Sequence, residues 1–272
     1  MHIKSKFALA AAFAISSVSS IAQTAPQPEN ALTYNIGVVS QYRYRAIEQT
    51  SGKPAIQAGL DYAHKSGFYL GAFATNVTWI KDFNQATTGD YEIDIYGGYK
   101  GELVKDLTYD LGVITYNYPG NNSGDSSTPG AGTYSKADTK EFYVGMTYGV
   151  VTAKYSQSMG DFLGNLNSNG SRYFEVAATF DLGSGLSLTP HIGRQTIPNQ
   201  SFGTIVGNAA DYNDYSLTLT KDFGKGLTAY VTALGTSAKE KEFYQTTPSS
   251  ANSQLNRFLA GNAALVGVKY SF

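Results

Sequence analysis

Apolar and polar residues alternate one by one along most of the chain. In Ala263–Phe272, Val266, Val268, Tyr270 and Phe272 share one parity, and Lys269 and Ser271 take the other. Arg172–Leu182 sets Phe174, Val176, Ala178, Phe180 and Leu182 against Glu175, Ala177, Thr179 and Asp181. Asp211–Phe223 puts Tyr215, Leu217, Leu219 and Phe223 on one side, with Lys221 interrupting the row, and Asp214, Ser216, Thr218, Thr220 and Asp222 on the other. A period of two describes a strand with one apolar and one polar face. About twelve such segments follow one another: Leu32–Arg45, Pro54–His64, Phe68–Ile80, Tyr91–Gly101, Leu107–Tyr118, Lys140–Tyr148, Val150–Ser158, Arg172–Leu182, Leu186–Gln195, Asp211–Phe223, Leu227–Ser237 and Ala263–Phe272. No stretch carries a convincing helical pattern, and Pro190 predicts a bulge because it cannot give a ladder hydrogen bond.

The connections sort by length. Lys65-Ser66-Gly67, Glu102–Asp106, Gly149, Gly183-Ser184-Gly185 and Gly224-Lys225-Gly226 are short turns. Pro119–Thr139, Thr196–Ala210 and Ala238–Asn262 are long polar loops alternating with them. This predicts an all-β fold, a transmembrane up-and-down antiparallel β-barrel with short periplasmic turns and long extracellular loops. A soluble sandwich has no reason to sort its loops in this way. Tyr62, Tyr99, Tyr109, Tyr148, Phe180, Phe223 and Phe272 lie on the apolar parity beside the short turns or the C-terminus, and are expected to form a membrane-interface girdle. Tyr42, Tyr44, Trp79, Tyr91, Tyr118, Phe142 and Phe174, near the long loops, are candidates for a second belt.

The N-terminus changes the picture of where the chain goes. Lys4 and Lys6 precede the apolar run Phe7–Ile15, and Ser20-Ile21-Ala22 offers small residues for cleavage. Residues 1–22 read as a signal peptide, 23–31 as a short periplasmic leader and 32–272 as a single barrel domain. The run is far short of the ~20 apolar residues a spanning helix needs. Without Lys4 and Lys6, the 20 basic residues fall to 18 against 21 acidic, a net charge of −3. That argues against a nucleic-acid partner. No cysteine is present, which excludes disulfides and thiolate chemistry. The 29 Gly and 21 Tyr are unusual for a soluble enzyme. The mean hydropathy of −0.23 fits strands that average a lipid face with a lumen face.

The inward parity supplies the candidate pore-lining residues: Arg43, Arg45, Asp61, Glu92, Asp94, Asp110, Glu141, Lys154, Glu175, Asp214 and Lys269, with Lys100 and Asp181 sharing that parity. Acidic residues predominate, so a mild cation preference is expected. Arg43 and Arg45, at the outer end of the first strand, face carboxylates at the outer ends of later strands, an arrangement expected to set a transverse field across the mouth. Barrels of eight strands are filled and those of sixteen to eighteen are channels, so twelve predicts a narrow pore that a folded-in loop readily obstructs. Filling of the interior by paired charges is the alternative. His64 reads as a turn residue. His191 faces inward, but no nucleophile stands at a suitable spacing beside it. No catalytic, cofactor-binding or metal-ligating residue is predicted. Asn121–Gly132 reads as a mobile exposed loop, and Gln254–Ala260 as one helical turn over the pore mouth.

The segments Asn35–Arg45, Pro54–His64, Ser66–Gly71, Glu92–Tyr99 and Tyr116–Gly120 together resemble the TorF family of porins, from the signal peptide to the last strand. Ala46 and Glu48 depart from it, standing where members often carry Gly and Ser. The resemblance implies an outer-membrane porin-like channel for ions or small polar solutes and no defined substrate. A non-conducting structural or surface-interaction barrel is the alternative, and an outer-membrane enzyme a third. The expected partners are outer-membrane lipid and lipopolysaccharide, the barrel assembly machinery through the C-terminal strand, and small polar solutes, in a monomer or homo-oligomer.

Overall fold

The computed structural model describes residues 30–239, 243–246 and 256–272. The predicted signal peptide and most of the leader lie outside the described residues. The elements are β1 Ala31–Val39, β2 Arg43–Tyr44, β3 Ile47–Glu48, β4 Ala55–Ala63, β5 Phe68–Asn76, α1 Trp79–Asp82, β6 Tyr91–Val104, β7 Leu107–Asn117, β8 Thr139–Tyr148, β9 Val151–Ser158, β10 Arg172–Ala178, β11 Phe180–Gly183, β12 Leu186–Thr196, β13 Tyr212–Gly224, β14 Leu227–Thr236 and β15 Ala263–Ser271.

Thirteen of these strands form one antiparallel sheet. β10 and β11 are two pieces of one stave interrupted at Thr179, so the sheet has twelve staves. It closes on itself, because β12 pairs with both pieces of that stave and β1 pairs with β15 as well as β4. Closure matters energetically: it leaves no unpaired strand edge. The fold is therefore a closed, twelve-stave, up-and-down barrel. β2 and β3 form a separate hairpin within the β1–β4 connection.

The outer surface follows the sequence parity. Leu32, Ile36 and Val38 of β1, Leu217 of β13, and Val266 and Val268 of β15 are all about half exposed, in an apolar belt around the barrel. The girdle candidates sit at the short-turn end. Tyr62, Tyr148, Phe180, Phe223 and Phe272 are outward and exposed. Tyr99 packs edge-on to Phe68 and beside Tyr109. The short turns have the backbone that their residues predict, with positive φ at Gly67, Gly149, Ser184 and Lys225.

Four expectations are corrected. The first strand ends at Val39 rather than Arg45, and the third at Asn76 rather than Ile80, where α1 follows. Pro190 makes no bulge: Ala177 pairs with His191 and Phe180 with Leu188 in one unbroken register, and the proline leaves only the one-residue gap at Thr179. Thr179 and Thr189 bridge that gap with a 2.9 Å hydroxyl hydrogen bond. Asn256–Ala260 contains no helical turn, while Gln254 and Leu255 lie outside the described residues.

The abundance of glycine and tyrosine has a structural cause. Inward tyrosines lie across glycines directly opposite on the next strand: Tyr96 over Gly71, Tyr69 over Gly98, Tyr143 over Gly112 and Tyr230 over Gly267. A Cβ on Gly112 would meet the Tyr143 ring at 2.4 Å. Gly112→Val is therefore expected to destabilise the barrel by about 1–3 kcal/mol through overpacking. Urea unfolding in lipid vesicles, followed by tyrosine fluorescence, measures the change.

Candidate functional site: the lumen and its plug

Among the described residues an apolar core lies in the mouth at the long-loop end, where loop residues pack together. Tyr42, Tyr44, Ile47, Trp79, Ile80, Phe162 and Tyr244 are buried there, against strand ends that include Val39, Phe73 and Leu265. The β1–β4 segment folds inward, and every residue from Tyr42 to Thr50 is buried. The hairpin reverses at Arg45 and Ala46, with φ of 47° and 64°. Such a turn favours Gly or Asn, and Ala46 occupies it at a steric cost that burial must offset.

The hairpin carries its charges into the lumen. The Arg45 guanidinium donates to both oxygens of Glu141, at 3.1 and 2.7 Å, and to Gln195 Oε1 at 2.8 Å. Its flat face lies 4.3 Å from the Tyr173 ring centre and 4.8 Å from that of Tyr44. Burial works against this cation, but the Glu141 carboxylate, with Tyr44 and Tyr116, more than offsets it and holds its pKa well above the ordinary value. Tyr42 donates to Glu92 at 2.7 Å. Arg43 donates to the Ala46, Leu259 and Gly261 carbonyls, and its pKa falls to about 10, chiefly through burial. Glu48 accepts from Arg257 at 2.7 Å and lies 3.7 Å from Arg43. The last long loop is thereby tied to the first.

Arg43 and Arg45 thus belong to an in-folded hairpin and not to the first strand. The expected transverse field is replaced at Arg45 by a paired contact across the mouth. Of the second-belt candidates, Tyr42, Tyr44, Trp79 and Tyr118 are buried inside the plug, whereas Tyr91 and Phe174 face outward. Phe142 is half-buried and packs beside Tyr155. The Asn121–Gly132 loop is exposed at Asp125–Ser127, Pro129, Ala131 and Gly132 as expected, while Asn121, Ser123, Thr128 and Gly130 are buried.

Below the plug the strands present a polar interior. Glu175 on β10 meets Lys154 on β9 at 3.2 Å and His191 Nε2 on β12 at 3.1 Å. His191 Nδ1 lies 3.4 Å from Asp214 on β13, and Tyr173 donates to Asp214 at 3.1 Å. Sequence reasoning missed this cluster because its members are distant along the chain and meet only through the registers of β9, β10, β12 and β13. Further towards the short turns, Tyr69 donates to Asp110 at 2.6 Å and also meets Tyr143, while Tyr96 donates to Asp61 at 2.5 Å. Lys100 stands 3.6 Å from Asp110, and Lys269 is half-buried on β15. Asp94 is buried near Glu92 and Glu141. Asp181 is drawn into its turn, accepting from the Gly183 amide. His64 is held by Ser66 in its turn.

A closed antiparallel ring with an apolar outside and a charged inside defines a transmembrane β-barrel. The chain belongs to the Gcw_chp family, described as bacterial proteins of unknown function, whose model matches residues 22–272. No curated protein matches it. Among solved structures it is similar to the KdgM porin, with a TM-score of 0.50 and 8% identity over 89% of this chain and 98% of that one. The same values hold for the KdgM porin in complex with disordered oligogalacturonate. The NanC porin gives a TM-score of 0.48 and 11% identity over 88% of this chain and 99% of that one. At these identities the likeness is one of fold.

Proposed function

We propose that this protein is an outer-membrane porin-like channel that passes ions or small polar solutes through a narrow lumen, with its outer mouth gated by the in-folded β1–β4 segment. One observation carries the reading: the side chains that close the mouth come largely from loops, whereas the strands beneath present hydrophilic groups. Asp61, Asp110, Lys154 and Lys269 are only partly buried. Loops move on faster timescales and at lower cost than strand side chains locked in a ladder. The short turns then face the periplasm and the long loops the outside, with lipid and lipopolysaccharide around the belt. The TorF resemblance and the signal-peptide pattern support the same location.

The seven inward acids (Asp61, Glu92, Asp94, Asp110, Glu141, Glu175, Asp214) outnumber the five inward bases Arg43, Arg45, Lys100, Lys154 and Lys269, which favours cations. Purified protein in a planar bilayer is expected to give small, flickering conductance steps, with a reversal potential in a salt gradient displaced towards the cation value. Anion selectivity would refute the charge argument. Persistent silence, including from a variant with the plug loosened, would favour the non-conducting structural barrel.

A further inference from the structure

Within the plug lies a cavity of about 40 Å³, walled by aromatic rings that include Trp79, Phe83, Phe162 and Tyr244. That space accommodates roughly three waters. Glu48 and Asn165 also line it. Four of the lining residues carry a buried polar atom without a hydrogen-bond partner: Trp79 Nε1, Glu48 Oε1, Asn165 Oδ1 and the Tyr44 hydroxyl. Trp79 and Asn165 are each 5% exposed, and the Glu48 side chain is fully buried. Buried polar atoms are ordinarily satisfied, so four orphans around one cavity mark a place for something that supplies their partners.

We propose that this cavity is a binding site for a small neutral polyol or the edge of a sugar ring, reached from the long-loop side. The site offers one donor, the indole N–H, two acceptors, the carboxylate and amide oxygens, and the Tyr44 hydroxyl, which can do either. A set of hydroxyls answers all four, because each hydroxyl both donates and accepts. The aromatic walls suit the C–H faces of a polyol backbone. The charge balance excludes ions. Glu48 Oε2 is already held by Arg257 at 2.7 Å with Arg43 at 3.7 Å, so no negative charge is left over for a cation. An anion would lie against Glu48 Oε1. Asn165 has its Nδ2 committed to the Phe162 carbonyl at 2.9 Å, so its free oxygen can only accept.

Trp79 is the only tryptophan of the chain, so intrinsic fluorescence reports on the site directly. The full-length exported protein, in a polyoxyethylene detergent whose headgroup carries no sugar, is titrated with glycerol, methyl glucoside and tetramethylammonium. A saturable change in Trp79 emission is expected with glycerol or methyl glucoside and none with tetramethylammonium. Trp79→Phe keeps an aromatic ring and removes the N–H; equilibrium dialysis with radiolabelled ligand is expected to show affinity reduced on the order of tenfold. No saturable response to either polyol would overturn the proposal, as would a response to tetramethylammonium alone. Unchanged polyol binding by a folded Trp79→Phe barrel would overturn the assignment to this cavity. The measurement needs no ion flow, so a silent bilayer leaves the site standing, and a conducting channel that binds no polyol leaves the porin reading standing.

Discussion

Glu141→Ala is expected to open the mouth. The substitution leaves the buried Arg45 guanidinium with Gln195 and aromatic faces but no carboxylate. Removing one partner of a buried, doubly hydrogen-bonded ion pair costs about 3–5 kcal/mol. At roughly 1.4 kcal/mol per factor of ten, the docked form of the hairpin then loses at least a hundredfold of its advantage. Single-channel recording should show larger and longer conductance steps than the native protein. Arg45→Ala combined with Glu141→Ala leaves neither member of the pair buried and uncompensated, so it should restore much of the closure. That recovery separates electrostatic locking from simple loss of packing. Unchanged conductance in Glu141→Ala would show that the aromatic core alone holds the plug.

Deleting Phe272 is expected to cut the yield of folded barrel severalfold or more, with little effect on conductance in the molecules that do assemble. The seam between the first and last strands is the short one: β1 pairs with β15 only from Asn35 to Val39, against the full Ala31–Val39 with β4. Phe272 extends that seam. Its amide donates to the Tyr34 carbonyl at 2.9 Å, and the Tyr34 amide donates to its carbonyl at 3.0 Å. Its ring stacks on Tyr34 and Tyr270 at 5.8 and 6.0 Å. Loss of both backbone bonds and the stacking weakens the one joint that turns a sheet into a barrel. Phe272→Ala keeps the backbone pair and should be milder. Heat-modifiable migration in SDS gels measures the folded fraction, and a normal yield from the truncated chain would sink the seam argument.

Much of the wall was legible without coordinates because a strand is a local pattern. Parity assigns Val266 and Val268 to one face and Lys269 to the other whatever the rest of the molecule does. Glycines mark the hairpin turns because few other residues accept their φ values. The plug was not legible. Gln41-Tyr42-Arg43-Tyr44-Arg45 continues the alternation of the first strand, so it reads as more strand. Its reversal uses Arg45 and Ala46, residues that do not announce a turn of positive φ. Trp79 likewise looked like the last residue but one of a strand and instead opens α1. Aromatic residues beside long loops look the same in sequence whether they face lipid or fill a mouth, since both places reward the same rings.

The amino-acid sequence by itself therefore determined the barrel: strand number, facing, turn positions and the apolar and charged surfaces all follow from period-two alternation and turn chemistry. Only the tertiary structure decided what fills the barrel. The pairing of Arg45 with Glu141, the His191 cluster and the Trp79 cavity each join residues far apart along the chain. Such contacts exist only once closure of the ring brings every strand's inner face to a common lumen, and no local pattern encodes which of them will meet there.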